Sequence, residues 1–160
     1  MRIRGIQIED FVNYKQPSMF IATCFCDWKC CKSHPEICQN AALAQAPVIH
    51  FSKQQFLYLY RNNDITSALV FGGLEPILQF EEVLEIIDHF RTHDEHCPII
   101  IYSGYEEEEI AQEIQYLSAY DNTILKVGRY IPNRKTRYDP ILGVTLSSDN
   151  QYAIEVGEKR

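Results

Sequence analysis

Four short apolar runs along the 160-residue chain have the length and composition of buried β-strands. They cover residues 19–23, 68–71, 98–102 and 123–127. Turn-forming glycines follow the second and third runs, which predicts that those strands end there. One further strand is predicted near residues 151–156, in a C-terminal stretch with few helix signals.

The segments between these runs have helical patterning. Apolar residues recur at helical spacing over residues 80–93, which predicts a helix packed on a sheet. Ser52 and Gln55 have the spacing of a capping box, which predicts a helix continuing to Tyr60. A third helix is predicted over residues 107–117. Strand, loop and helix therefore alternate, which predicts an α/β fold: a parallel sheet with flanking helices, in a single domain of residues 1–160.

The residues with distinctive chemistry follow the ends of the predicted strands. Cysteines come directly after the first strand, the sequence Gly72-Gly73-Leu74-Glu75-Pro76 follows the second, and Ser103-Gly104 follows the third. Ligands of parallel α/β sheets bind at the carboxyl ends of the strands. We therefore expect these three loops to form one site.

The charge distribution restricts the partners. A formal net charge of −7 argues against free nucleic acid or an anionic membrane as the main partner. Residues 75–109 hold eleven acidic residues against one basic residue, whereas residues 126–137 hold five basic residues and no acidic one. Such segments are commonly solvated faces. The alternative is that the basic segment meets an anionic ligand or an acidic partner.

The chain has no run of about 18 consecutive apolar residues, the length that a transmembrane helix needs. Residues 1–5 lack the apolar stretch of a secretory signal peptide. We therefore expect a cytoplasmic protein, in which thiols stay reduced.

Five of the six cysteines fall within fifteen residues; they are Cys24, Cys26, Cys30, Cys31 and Cys38. In a reducing compartment such clustering indicates metal ligands or redox groups before disulfides. Structural zinc sites usually contain C-x2-C pairs, which this sequence lacks, although His34 offers a fourth zinc ligand. A cysteine-rich loop without any ligand is a further alternative. The C-x3-C spacing of Cys26 and Cys30, with one more cysteine, suits three irons of a 4Fe-4S cluster and leaves the fourth iron open.

These residues, in this order, resemble the radical S-adenosylmethionine (radical SAM) superfamily, and more closely its activating proteins for anaerobic ribonucleotide reductases. Cys26-Asp27-Trp28-Lys29-Cys30 and Cys38-Gln39-Asn40 resemble the cluster motif C-x3-C-x2-C. The segment 72–76 resembles G-G-E-P with Leu74 inserted, and Tyr102-Ser103-Gly104-Tyr105 resembles Y-T-G-Y. Residues 8–14, 19–23 and 128–132 are similar to other parts of the family.

The spacing departs from the family motif at one point, because seven residues rather than two separate Cys30 from Cys38. Five additional loop residues cost little closure entropy, so the longer loop is physically acceptable. Cys31 is the competing third ligand, but adjacent thiolates rarely reach one cluster together, and Cys38 is preferred. Cys24 and Cys97 are interpreted as buried packing residues.

The resemblance implies a partial barrel of the radical SAM type. It also implies a 4Fe-4S cluster on Cys26, Cys30 and Cys38, with SAM on the open iron. It assigns further roles by position: Gly72, Gly73 and Glu75 at the amino group of SAM, Ile37 near the adenine, Ser103 at the ribose or carboxylate, and Arg129 at the carboxylate.

The implied function is the generation of a glycyl radical on a partner enzyme, such as the large subunit of anaerobic ribonucleotide reductase. The implied electron donor is a flavodoxin or ferredoxin, and neither nucleic acid nor a membrane is an expected partner. Two alternatives stay open. One is radical SAM chemistry on a small molecule or another peptide, and the other is an iron–sulfur or zinc-binding module without turnover.

Overall fold

The computed structural model describes residues 1–31 and 35–157 of the chain. The helices in this part are α1 (Lys53–Arg61), α2 (Phe80–Thr92) and α3 (Ala111–Leu117). The strands are β1 (Arg2–Ile3), β2 (Gly5–Asp10), β3 (Ser18–Ala22), β4 (Ile49–His50), β5 (Ala68–Gly72), β6 (Ile99–Tyr102), β7 (Thr123–Val127), β8 (Arg137–Asp139), β9 (Val144–Leu146) and β10 (Tyr152–Glu155).

A six-stranded sheet with strand order β10-β7-β6-β5-β3-β2 forms the centre of the fold. Strands β3, β5, β6 and β7 run parallel to one another. Parallel neighbours need long crossover connections, and these connections contain α1, α2 and α3 in turn. The carboxyl ends of the four parallel strands therefore lie at one edge of the sheet, where the loops after β3, β5 and β6 meet.

The two faces of the sheet are covered by different elements. Alternate strand residues such as Leu69 pack with the three helices in the main core, which includes Phe56 of α1 and Ile87 of α2. The intervening residues, such as Val70, pack in a second cluster with Leu142 near the β8–β9 hairpin. Fully burying one such side chain contributes about 1.5–3 kcal/mol. Burial on both faces explains why the central strands are continuous apolar runs in the sequence.

The start of α1 follows the predicted capping box. The Ser52 side chain accepts a hydrogen bond from the Gln55 N–H (3.2 Å), and the Ser52 N–H donates to the Gln55 side chain (2.8 Å). Two backbone N–H groups that have no partner within the helix are thereby satisfied.

The helix predicted over residues 107–117 is wrong at its start. A 3-10 turn, Glu107–Glu109, comes first, and α3 begins only after Ile110. Ile110 has φ −127° and places its side chain in the main core, so α-helical geometry is interrupted there. The Glu106 N–H donates to the Glu109 carboxylate at 3.0 Å, which stabilises the turn.

The sheet is mixed, whereas the sequence predicts a parallel one. The antiparallel strands β2 and β10 occupy its two edges. The short pairs β1–β4 and β8–β9 were also not predicted, because none of these segments contains an apolar run of strand length. No helix in residues 1–31 and 35–157 is long and apolar enough to cross a membrane.

Candidate functional site

A cavity of about 500 Å³ opens at the carboxyl ends of the parallel strands. This volume lies within the range of small-molecule sites, roughly 300–1,000 Å³. All three strand-end loops contribute to its lining, together with β7 and the residues of β9. The lining includes Cys26, Cys30, Cys38, Gly73, Glu75, Ser103, Gly104 and Lys126.

The cysteine loop, residues 24–40, follows β3 and contributes three thiols to this cavity. Cys26, Cys30 and Cys38 line it and are partly exposed, whereas Cys24 and Cys31 are buried. The chain turns within the C-x3-C segment, and the Trp28 N–H there donates to Cys26 Sγ at 3.3 Å. The three cysteines therefore line the same cavity, although seven residues separate Cys30 from Cys38 in the sequence.

The buried Cys31 thiol lies against Cys30, with 3.4 Å between the two sulfurs. Two thiolates on one tetrahedral zinc ion lie about 3.7 Å apart, given a Zn–S bond of about 2.3 Å. Ligands of a 4Fe-4S cluster bind different irons and must lie farther apart than that. The 3.4 Å spacing is too short for Cys30 and Cys31 to bind different irons without a change of side-chain orientation, so with Cys30 as a ligand it favours Cys38 over Cys31 as the third.

In the described part of the chain, no group of three or more Cys, His, Asp or Glu side chains is arranged to hold a metal ion. His34, the fourth zinc ligand considered from the sequence, lies outside the described residues.

Burial controls the protonation of the thiols. It raises the pKa of Cys26 to about 11, and the neighbouring Cys30 acts in the same direction. Burial also raises the pKa of Cys30. Cysteine binds iron as the thiolate. These thiols are therefore protonated at neutral pH when no metal group is bound, and binding of a metal group releases their protons.

The Gly-Glu loop, residues 72–76, follows β5 and faces the cysteine loop. Gly73 has φ 82°, in the left-handed region that side-chain-bearing residues rarely adopt, and a Cβ there would lie 2.6 Å from Leu43 Cδ2. The glycine lets the chain turn beside the cavity. The Glu75 N–H then donates to the Phe25 carbonyl at 2.7 Å, which joins the two loops through their backbones.

The Glu75 carboxylate is 6% exposed and lies between the loops that follow β5 and β6. It accepts hydrogen bonds from the Ile77 N–H (3.1 Å), the Ser103 hydroxyl (3.0 Å) and the Gly104 N–H (2.8 Å). Burial raises the pKa of Glu75 to about 7, although these three donors and the charge of Lys126 act in the opposite direction. Both oxygens therefore already have protein donors.

Lys126 is a site residue that the sequence analysis missed. It lies in β7, is 6% exposed, and its Nζ donates to the carbonyls of Ser103 (3.2 Å) and Gly128 (3.0 Å). Burial lowers the pKa of Lys126 to about 8, and the nearby Glu75 charge opposes that shift. A lysine inside an otherwise apolar strand was the signal that could have identified it.

Three residues assigned by the resemblance do not belong to the cavity lining that the structure describes; they are Gly72, Ile37 and Arg129. Gly72 ends β5, where a Cβ would lie 3.1 Å from the Phe20 ring. Ile37 is 46% exposed. The Arg129 guanidinium binds the Glu109 carboxylate at 2.6 Å, so its charge is already paired.

The chain matches the model of a known protein family. A family model described as a 4Fe-4S single cluster domain matches residues 17–152, a range that begins before β3 and ends at the start of β10. No curated protein and no solved structure matches the chain. The matched range contains all three strand-end loops and every cysteine that lines the cavity.

Proposed function

The chain belongs to the family of 4Fe-4S single cluster domains, and from this premise we propose that it is a radical SAM activating enzyme. Binding of a 4Fe-4S cluster follows from the family. We propose that Cys26, Cys30 and Cys38 are its ligands, that SAM is the second cofactor, and that the mixed sheet is the core of a partial barrel.

One observation carries this proposal. Three cysteine thiols, but not the buried Cys31, line the same cavity as the loops that follow β5 and β6. A module that only stores a cluster needs four ligands and no adjoining cavity, whereas a SAM enzyme needs three ligands and room for the cofactor beside them. When bound, a reduced cluster with one open iron supplies the electron that cleaves SAM to methionine and a 5′-deoxyadenosyl radical.

The polar residues of the cavity would orient SAM. Lys126 places a cation at the cavity wall, and only two of its three N–H donors have acceptors among the contacts above. We propose that Lys126, rather than the ion-paired Arg129, meets the SAM carboxylate. Glu75 holds Ser103 and Gly104 in place through hydrogen bonds and adds negative charge beside the amino-group subsite.

We propose a glycyl-radical enzyme, such as the large subunit of anaerobic ribonucleotide reductase, as the partner. The electron donor would be a flavodoxin or a ferredoxin. Exposed apolar residues beside the cavity support a protein partner: Phe11 and Val12 are 62% and 72% exposed, and Val12 also lines the cavity. A cytoplasmic location stays a prediction.

A cluster-binding module without turnover is the second candidate. Two observations favour it: the family description names a cluster and no SAM, and both Glu75 oxygens already have protein donors. This candidate and the leading proposal differ in one measurable product, because only the enzyme cleaves SAM.

The test is anaerobic reconstitution of the full chain with iron and sulfide, followed by reduction with dithionite in the presence of SAM. We expect the wild type to form 5′-deoxyadenosine and methionine in a one-to-one ratio. We expect the same from the control Cys97→Ala, because Cys97 lies outside the cavity lining. We expect neither product from Cys26→Ala. A wild-type protein that carries the cluster and forms no 5′-deoxyadenosine would contradict the enzyme and leave the module.

A further inference from the structure

The cysteine loop is held against the loop that follows β6 by one buried tyrosine. The Tyr105 hydroxyl donates to Asp27 Oδ2 at 2.6 Å, across 78 residues of sequence. Tyr105 is 7% exposed and its ring belongs to the main core. Asp27 is the residue directly after Cys26, so this hydrogen bond ties the C-x3-C segment to the rigid part of the fold.

Asp27 uses its second oxygen within the C-x3-C segment itself. Oδ1 accepts from the Lys29 N–H at 3.2 Å. Trp28, between them, has φ 60°, a left-handed conformation that a tryptophan adopts only when its surroundings impose it. The Trp28 N–H donates to Cys26 Sγ at 3.3 Å. The carboxylate of Asp27 therefore fixes the turn that orients Cys26 and Cys30.

The Lys29 ammonium adds a third contact between the same two loops. Its Nζ lies 4.5 Å from the centre of the Tyr105 ring and 3.5 Å from Asp27 Oδ2. It also lies 3.9 Å from the carboxylate of Glu109, in the 3-10 turn that comes after Tyr105 in the chain. Asp27 and Lys29, the two charged residues between Cys26 and Cys30, therefore both contact the loop after β6.

Tyr105 is itself fixed by the polar residues of the cavity. Its N–H donates to Ser103 Oγ at 3.0 Å, and that hydroxyl donates to Glu75 at 3.0 Å. The Tyr105 carbonyl accepts from the Gly128 N–H at 2.9 Å. A continuous chain of hydrogen bonds therefore runs from Glu75 through Ser103 and Tyr105 to Asp27.

We propose that Tyr105 and Asp27 are positioning residues that set the orientation of the first two cluster thiolates relative to the SAM-binding loops. The inference rests on the proposed assignment of Cys26 and Cys30 as ligands. Neither residue touches the cluster. Partners of this kind behind the ligands of a metal site commonly change metal affinity or activity by 10–100-fold when removed.

The test uses the reconstituted full chain with Tyr105→Phe, which removes only the hydroxyl. Its matched control is Tyr120→Phe, which removes a hydroxyl that donates to Asp88 at 3.0 Å, next to the opposite, amino-terminal end of β7. We expect iron loss to a chelator to be about tenfold faster in Tyr105→Phe and unchanged in Tyr120→Phe. We also expect the electron paramagnetic resonance signal of the reduced cluster to change in Tyr105→Phe alone.

A pair of Asp27 variants separates the hydrogen bond from a general loss of structure. Asp27→Asn can keep both hydrogen bonds, because its amide oxygen accepts from the Lys29 N–H and its amide NH2 donates to the Tyr105 hydroxyl oxygen, whereas Asp27→Ala removes both. We expect Asp27→Asn to retain iron within about threefold of the wild type and Asp27→Ala to resemble Tyr105→Phe. If Tyr105→Phe does not fold, this pair decides the question.

Wild-type iron retention and an unchanged signal in Tyr105→Phe would overturn the inference, as would equal effects in Tyr120→Phe. Neither readout requires cleavage of SAM. A protein that fails to make 5′-deoxyadenosine but loses iron faster in Tyr105→Phe would contradict the proposed function and support the positioning role.

Discussion

The Gly-Glu loop and the cysteine loop face the same cavity but are stabilised in different ways. In the Gly-Glu loop, Glu75 is buried and accepts hydrogen bonds from three donors on two loops. In the cysteine loop, the three candidate ligands are partly exposed, and burial keeps the Cys26 and Cys30 thiols protonated. The difference indicates that the first loop is complete without a cofactor, whereas the second is completed by the cluster.

The Tyr105–Asp27 hydrogen bond connects these two regions. Together with the hydrogen bonds of Ser103, it links Glu75 of the Gly-Glu loop to the C-x3-C segment. The two regions should therefore respond differently to substitution. Changes in the Gly-Glu loop should reduce the stability of the cluster-free protein, and changes in the cysteine loop should reduce iron binding.

The largest expected contrast in stability is between Glu75→Ala and Cys38→Ala in the cluster-free protein. Glu75→Ala leaves two N–H groups and one hydroxyl without their acceptor, and it removes the counter-charge of Lys126. We expect it to lower the free energy of unfolding by about 2–3 kcal/mol. Cys38→Ala removes a partly exposed thiol and should cost about 0.5 kcal/mol or less.

Urea denaturation followed by circular dichroism measures both values. Equal losses in the two variants would mean that the Gly-Glu loop is no more ordered than the cysteine loop before the cluster binds. The comparison between the two loops would then be wrong.

The pH dependence of stability gives an effect of similar size, confined to the Gly-Glu loop. Burial raises the pKa of Glu75 from 4.5 to about 7, so the folded state holds this proton more tightly than the unfolded state. The resulting stabilisation is fully present below pH 4.5 and is lost as the pH rises to about 7. Glu75→Gln keeps a neutral acceptor and does not titrate.

We therefore expect the stability of Glu75→Gln relative to the wild type to increase by about 2.5 kcal/mol between pH 4.5 and pH 7, which is most of the total effect at about 1.4 kcal/mol per unit of pKa shift. Titrating groups that do not interact with Glu75 cancel in this difference. Urea denaturation at a series of pH values measures it. A difference that stays constant or decreases with pH would show that Glu75 is not desolvated.

The central strands could be predicted from the sequence because burial on both faces leaves a continuous apolar run. The runs at 68–71 and 123–127 correspond to β5 (Ala68–Gly72) and β7 (Thr123–Val127) with little change in their bounds. Edge strands carry no such signal. Strand β2 has only one sheet neighbour, its pattern is mixed, and no apolar run marked it.

The loops of the candidate site could be predicted more completely than the side chains within them. Consecutive parallel strands end at one edge of the sheet, so the order of the motifs predicts that the loops meet. Charge pairing depends on contacts between distant segments and could not be predicted. Arg129 and Lys126 are both basic residues near the end of β7, yet Arg129 binds Glu109 whereas Lys126 lines the cavity.

The measurement that tests the central claim most directly is the iron content of the reconstituted Cys31→Ala and Cys38→Ala proteins. The proposed ligand set predicts that Cys31→Ala keeps about four irons per chain and that Cys38→Ala loses its cluster. This set consists of Cys26, Cys30 and Cys38. Cluster loss in Cys31→Ala together with retention in Cys38→Ala would contradict this ligand set.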